Sequence, residues 1–396
     1  MRTCRTLYTS GTPYLVQNCS LDKDIELKHI VLFCKYLLQT PSIDTMENRA
    51  SFIRKLRFPN FGALEDASDE IAKPLVGSLA GVIQCARFLE RLTIEDVEYL
   101  IGLNEDLAVT VSSLENLQKI KLSICSKATM HMLSELISPL RQIDLSFDHD
   151  DSGSYQPPVS LAHFADTLEK LTFRAPPAFA FCQLQGVQFS HVHTFIVASS
   201  VLSEIYQFRL SNLTYTFPNL KNLGIDFSYK INGSESLSPN APVWSSLDTI
   251  ACGVSLLLAL DFKIPCRLWS VCLSDYRGTA SFRTILQRVQ PTHLELKLGI
   301  TQAKYWFQQT SGLDRLFQVP SLKITHLSFC FVVDLTLDWV EKELRDYISQ
   351  LLVSAPVPTL YTYTGSSTSH RMTSLDPNSW HRCHSNSSTF MSDTLQ

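Results

Sequence analysis

A three-position apolar pattern recurs along the chain: an apolar residue, two others, a second apolar residue, one other, a third. It stands as Ile53-Leu56-Phe58, Leu89-Leu92-Ile94, Leu117-Ile120-Leu122, Leu140-Ile143-Leu145 and Leu168-Leu171-Phe173. It continues as Val192-Phe195-Val197, Leu220-Leu223-Ile225, Leu247-Ile250-Cys252, Leu268-Val271-Leu273, Pro291-Leu294-Leu296 and Ile324-Leu327-Phe329. The last three residues of each copy alternate, which predicts a short strand with one buried face. Successive copies start 21 to 36 residues apart, and eight of the ten steps fall between 20 and 29. That is room for one strand and one return segment. A lone unit of this kind cannot bury its own apolar face, whereas stacked units share a continuous core. The pattern therefore predicts an α/β fold in which parallel strands follow one another in chain order and helices lie on one side. The competing reading is an ordinary α/β or α+β domain with amphipathic strands.

Between the strands, apolar residues recur at helical spacing. Ile71 to Leu89 carries Leu75, Leu79, Val82, Ile83 and Ala86, with Pro74 near its first turn. Met130 to Ile137 offers Leu133, Leu136 and Ile137, and Phe282 to Val289 offers Ile285, Leu286 and Val289. Ile25 to Leu38 reads as a helix with Ile25, Ile30, Leu32, Phe33 and Leu37 turned inward. Leu337 to Leu352 reads as a helix that caps the exposed end of the core. The expected organisation is a helical segment over 1–45, the repeat array over 46–333, the cap over 334–364 and a polar, disordered tail over 365–396. Asp148 to Pro158 and Ile231 to Pro242 read as surface loops.

Composition narrows the function. Of 396 residues, 45% are apolar, enough for a sizeable core, and only 18% are charged. The net charge of -4 argues against a nucleic-acid binder built on bulk charge. The strongest apolar stretch, Val254 to Leu260, is far shorter than the roughly 20 residues a membrane span needs, and the opening has no signal-peptide pattern. The expected location is the cytoplasm or nucleus. The 11 cysteines are odd in number, widely spaced and without a CxxC pair, which points to free thiols.

The repeat pattern resembles the leucine-rich-repeat family over Ile53 to Phe329. The resemblance implies an irregular solenoid with a parallel concave sheet and convex helices. That family often carries Asn or Cys eight residues after the first Leu. Here the place holds Val97, Cys125, Asp148, Pro176, Ser200, Ser228, Ser255 and Tyr276, and only Cys125 matches. Water or local turns must then satisfy the turn backbones. The opening MRTCRTLYTSGTPYLVQ is similar to the last part of the F-box in fungal F-box/leucine-rich-repeat proteins, through Cys4, Arg5, Leu7, Tyr14, Leu15 and Val16. LFCKYLL and FIRKLRF fit the same family, while the Leu-Pro-x-Glu opening of an F-box is not in the chain. The resemblance implies a substrate-recognition subunit of an SCF-type ubiquitin ligase. Cys4, Leu7, Tyr14 and Leu15 would touch the small adaptor subunit, and the concave face would hold a protein target.

No catalytic motif is present: no G-x-S-x-G elbow, P-loop, Rossmann glycine run or H-E-x-x-H. The expectation is a non-enzymatic protein with no cofactor and no metal. His191 and His193, and the cluster His381, Cys383 and His384, read as solvated residues. The positions between the core residues of each strand should form the partner face. Those singled out are Arg91, Lys119, Lys121, Arg141, Asp144, Lys170, Trp269 and Glu295, with Trp269 the foremost hot-spot candidate. Signs along this face are mixed, so a protein partner is expected, with neither nucleic acid nor membrane. The alternatives are a repeat-based interaction module without adaptor binding and, from another class, an enzyme on an α/β scaffold.

Overall fold

The computed structural model describes residues 11, 14–21, 25–39, 48–59, 68–147, 161–175, 186–199, 210–227, 244–272, 279–299, 323–332 and 363–366. The chain divides into two compact units, 1–193 with 216–218, and 194–215 with 219–396. In each, parallel strands pair in chain order and helices lie between them in sequence.

The first unit holds β1 (Asn18–Ser20), β2 (Lys55–Phe58), β3 (Arg91–Ile94), β4 (Lys119–Cys125), β5 (Gln142–Phe147) and β6 (Lys170–Arg174). Each pairs in parallel with the next. The predicted triads form the core: Leu56, Leu92, Ile120, Ile143 and Leu171 stand on one register line and all are buried. The repeat begins one unit earlier than the sequence reading placed it. Val16, Cys19 and Leu21 complete a further copy of the triad, and Cys19 pairs in register with Leu56.

The backbone itself fixes the register. One carbonyl at each strand entrance accepts two consecutive N–H groups of the following strand. Gln17 O accepts from Arg54 and Lys55, Arg54 O from Glu90 and Arg91, and Glu90 O from Gln118 and Lys119. Gln118 O accepts from Arg141 and Gln142, and Arg141 O from Glu169 and Lys170, all at 2.8–3.0 Å. Local side chains bond to the turn backbones just ahead of the strands. Asn116 Nδ2 donates to Arg87 O at 2.9 Å and Thr167 Oγ1 to Leu140 O at 2.9 Å. Ser138 Oγ accepts from Leu117 N at 3.1 Å and donates to Leu114 O. Buried turn groups are thereby paired, as they must be.

Helices α1 (Leu27–Leu38), α2 (Asp69–Cys85), α3 (Val97–Leu103), α4 (Asp106–Ser112) and α5 (Lys127–Glu135) belong to the first unit. They pack α1 on α2, α2 on α4, α3 on α5 and α4 on α5, and α3 and α5 also touch β4. Helix α2 starts with Asp69 and Glu70 in its first turn, where carboxylates favour the dipole. Its inward face carries Leu75, Leu79, Val82 and Ile83, as the spacing predicts. Pro74 lies in the second turn, one turn later than expected. In α1 the inward residues are Ile30, Cys34 and Leu37, while Leu32 is exposed. The small Cys34 sits on the stripe that Leu32 was assigned. Ile137 is likewise exposed, because α5 ends at Glu135.

The second unit holds β7 (Thr194–Ser199), β8 (Asn222–Phe227), β9 (Leu247–Cys252), β10 (Cys266–Cys272), β11 (His293–Gly299), β12 (His326–Val332) and β13 (Tyr363–Ser366). They pair in parallel, each with the next. Its helices are α6 (Leu210–Thr216), α7 (Val254–Ala259) and α8 (Thr279–Val289), and α8 buries Phe282, Ile285, Leu286 and Val289. Residues 365 and 366, assigned to a disordered tail, stand in β13. The expected cap helix and both predicted loops lie outside the described residues. Among the described residues no helix is long and apolar enough to cross a membrane.

Candidate interaction face

Strand alternation sends every second residue to the face opposite the core. In the first unit two register lines of that outer face are on view. One runs Asn18, Lys55, Arg91, Lys119, Gln142, Lys170. The other runs Ser20, Arg57, Thr93, Lys121, Asp144, Thr172. The structure thus brings Arg91, Lys119, Lys121, Asp144 and Lys170 onto adjacent strands of one face. Arg141 stands at the strand entrance beside them, exposed.

The carboxylates near this face are already held. Glu90 takes Arg54 at 2.6 Å, Glu95 takes Arg57 at 2.8 Å, and Glu169 takes Arg141 at 3.3 Å. Asp144 Oδ2 accepts from Arg174 at 3.0 Å, and its buried Oδ1 has no partner, nor does Oγ1 of the buried Thr172 on the neighbouring rung. Lys119 has its pKa pulled down, first by partial burial and then by Arg91, against the opposing pull of Glu169, with Lys170 and Lys55 adding to the fall. Lys55 completes this basic line, and sequence reasoning missed it. The signal was there in KLRF, where Lys55 stands one residue before the core Leu56.

Trp269 is a correction. It is 0% exposed, stacks on Phe282 with ring centroids 5.0 Å apart, and donates Nε1–H to Cys252 O at 3.1 Å. It therefore belongs to the core and cannot be a hot spot on the partner face. The cause is a frame error. Leu268-Val271-Leu273 and Cys266-Trp269-Val271 both match the pattern two residues apart, and the second places the large indole on the register line of Ile250 and Leu294. Glu295, half-buried on β11, does lie on the outer face, in register with Ser270 and Ser328. On the same line Gly224, Ala251 and Ser270 are buried, so the second unit's outer face is closed to solvent at these rungs. A Cβ on Gly224 would stand 3.3 Å from Ile196 Cγ1, which explains the smallest residue there.

Near the N-terminus Tyr14 is 80% and Leu15 72% exposed, while the next residue, Val16, is buried in the core. Cys4 and Leu7 lie outside the described residues. So do His381, Cys383 and His384. His191 and His193 precede β7, and the peptide oxygen of His191 lies 3.2 Å from Nδ1 of His193. A histidine pair that the sequence reading did not join is His293 with His326. They are register partners on β11 and β12, their rings stacked 4.1 Å apart at 4°. Burial, then His326, then Arg267, pulls the His293 pKa down. The twice-used Thr-His-Leu at Thr292 and Thr325 was the signal.

Burial pushes the thiols of Cys19 and Cys34 up to about 11 and that of Cys266 up to about 12, which keeps them protonated. Among the described residues no three His, Cys, Asp or Glu side chains gather as a metal site. No family model matches the chain, and no curated protein matches it.

Proposed function

We propose that this chain is an irregular leucine-rich-repeat solenoid that acts as a non-enzymatic interaction scaffold, the target-recognition subunit of an SCF-type ubiquitin ligase. The outer face of the first unit is its concave target-binding surface, and Cys4, Leu7, Tyr14 and Leu15 form its contact with the small adaptor subunit. The observation that carries the reading is the chain-ordered stack, in which the strands β2 to β6 of the first unit bury their triads and turn polar residues outward. Exposed Tyr14 and Leu15, next to the buried Val16, support an apolar contact at the N-terminal end. Such a scaffold works by raising the effective concentration of a target near a transferring enzyme.

The test is a pull-down of the purified adaptor subunit with the full chain and with a Tyr14→Ala/Leu15→Ala variant. Retention by the first and loss by the second is the expected result. Failure of the full chain to bind discards the adaptor role and leaves a plain interaction module.

A further inference from the structure

The basic line on the first unit's outer face is more regular than a solvated surface requires. Lys55, Arg91, Lys119 and Lys170 occupy four of five successive rungs, with Gln142 between the last two. Adjacent strands are about 4.8 Å apart, so like charges face each other directly, an arrangement that costs a sheet stability. Lys121 adds a fifth cation one register line away. Among the described residues none of the five makes an ion pair, because Glu90, Glu95, Glu169 and Asp144 each hold a different arginine. Lys55 and Arg91 are exposed, and Lys119, Lys121 and Lys170 are half-buried.

We propose that this line is the docking track of an extended, acidic peptide segment of a partner protein, lying across the strands with its Asp or Glu carboxylates on Lys55, Arg91, Lys119 and Lys170. The inference rests on the target-binding reading above and deepens it by naming the chemistry of the target. From Lys55 to Lys170 the five rungs span four strand spacings, about 19 Å, the reach of about six extended residues. Alternate residues of such a segment face the sheet, so three carboxylates lie along the track of four cations, and Gln142 offers an amide to its backbone at the neutral rung. A nucleic acid is the other polyanion to weigh. Single strands are held by basic grooves interleaved with aromatic platforms, and neither register line of this face carries an aromatic residue.

The experiment is fluorescence anisotropy on the full chain at low and high salt. The probes are a labelled peptide of alternating Glu and Ser, its Gln-and-Ser counterpart, and a labelled oligothymidylate. The expected result is salt-sensitive binding of the acidic peptide alone. Arg91→Gln/Lys119→Gln should weaken it by about tenfold or more, and Lys119→Arg should retain it. Lys73→Gln, on helix α2, should leave it unchanged. Removing two mutually repelling cations should leave thermal stability equal or higher, so a lost signal is not a folding failure. Equal binding of the neutral peptide, tighter binding of the oligothymidylate, or no acidic-peptide binding overturns the proposal. None of these outcomes bears on the adaptor pull-down, which tests the underlying reading by itself.

Discussion

Glu98 ties one repeat to the next through a single carboxylate. It sits on α3, and its oxygens reach the N-terminus of α5 on the following unit. Oε2 accepts from Ser126 N at 3.1 Å, Thr129 N at 3.0 Å and Thr129 Oγ1 at 2.6 Å. Oε1 accepts from Ala128 N at 2.9 Å. No side chain of α5's own N-cap residue, Ser126, performs this task. Three N–H groups at the start of α5 are therefore bonded by a residue 28 to 31 positions away. Glu98→Ala removes an anion from a helix N-terminus, worth about 0.3–1 kcal/mol. It also strands the N–H and hydroxyl of Thr129, which is fully buried, at about 1–3 kcal/mol for an unpaired buried group. Ser126 and Ala128 are half-buried and regain water, so they add little. The sum is about 3 kcal/mol, or a fall of about 6–12 °C in Tm for a unit of this size. Glu98→Gln keeps one carbonyl acceptor and should lose about half as much. Circular dichroism melts give the stability, and hydrogen exchange over residues 126–135 should show faster exchange at Ser126, Ala128 and Thr129. Glu135→Ala, an exposed site, should stay within about 0.5 kcal/mol of the parent. If Glu98→Ala does the same with exchange unaltered, the inter-repeat cap carries no weight.

Three further expectations follow from local geometry. Ile124 has a φ of 57° at the β4 irregularity, a left-handed conformation that strains a β-branched residue by about 1–2 kcal/mol. Ile124→Gly should raise Tm by relieving it, less about 0.5–1 kcal/mol of glycine entropy, and a fall in Tm would refute the strain. Trp269→Ala should cost about 3–5 kcal/mol in denaturant unfolding, whereas an effect below about 1 kcal/mol would mean the indole is not in the core. For His293 the folded pKa lies below the ordinary value of 6.5, so its contribution is present above that pH and is lost as pH falls through the folded value. Stability should therefore decline on acidification through and below pH 6.5, and less steeply in His326→Gln, where one repelling partner is gone. Parallel pH profiles for the two proteins would overturn the coupling.

The strand positions were legible because burial repeats the same triad, and a period-two alternation is decided by one face alone. The exposed face was legible wherever the frame was unique, as for Arg91, Lys119, Asp144 and Lys170. It failed at β10, where two overlapping frames compete and only the volume of the Trp269 indole, matched to its neighbours, decides between them. The strand at Asn18–Ser20 was hidden because Cys19 fills the central apolar place and the surrounding residues looked like the end of a helix. The ion pairs Arg54–Glu90 and Arg141–Glu169 could not be read in advance. They join residues 36 and 28 apart, and they draw Glu90 and Glu169 to arginines outside the basic line.

The paired N–H contacts at Gln17, Arg54, Glu90, Gln118 and Arg141 use only main-chain atoms. Side-chain identity does not enter these particular contacts, whereas the apolar triads and the Glu98 cap make the rest of the joint depend on sequence. Loss or duplication of a whole repeat would restore only the main-chain part of the joint, while an indel inside a strand would break that part on both sides. The main-chain seam therefore tolerates a change of length between strands better than one within them.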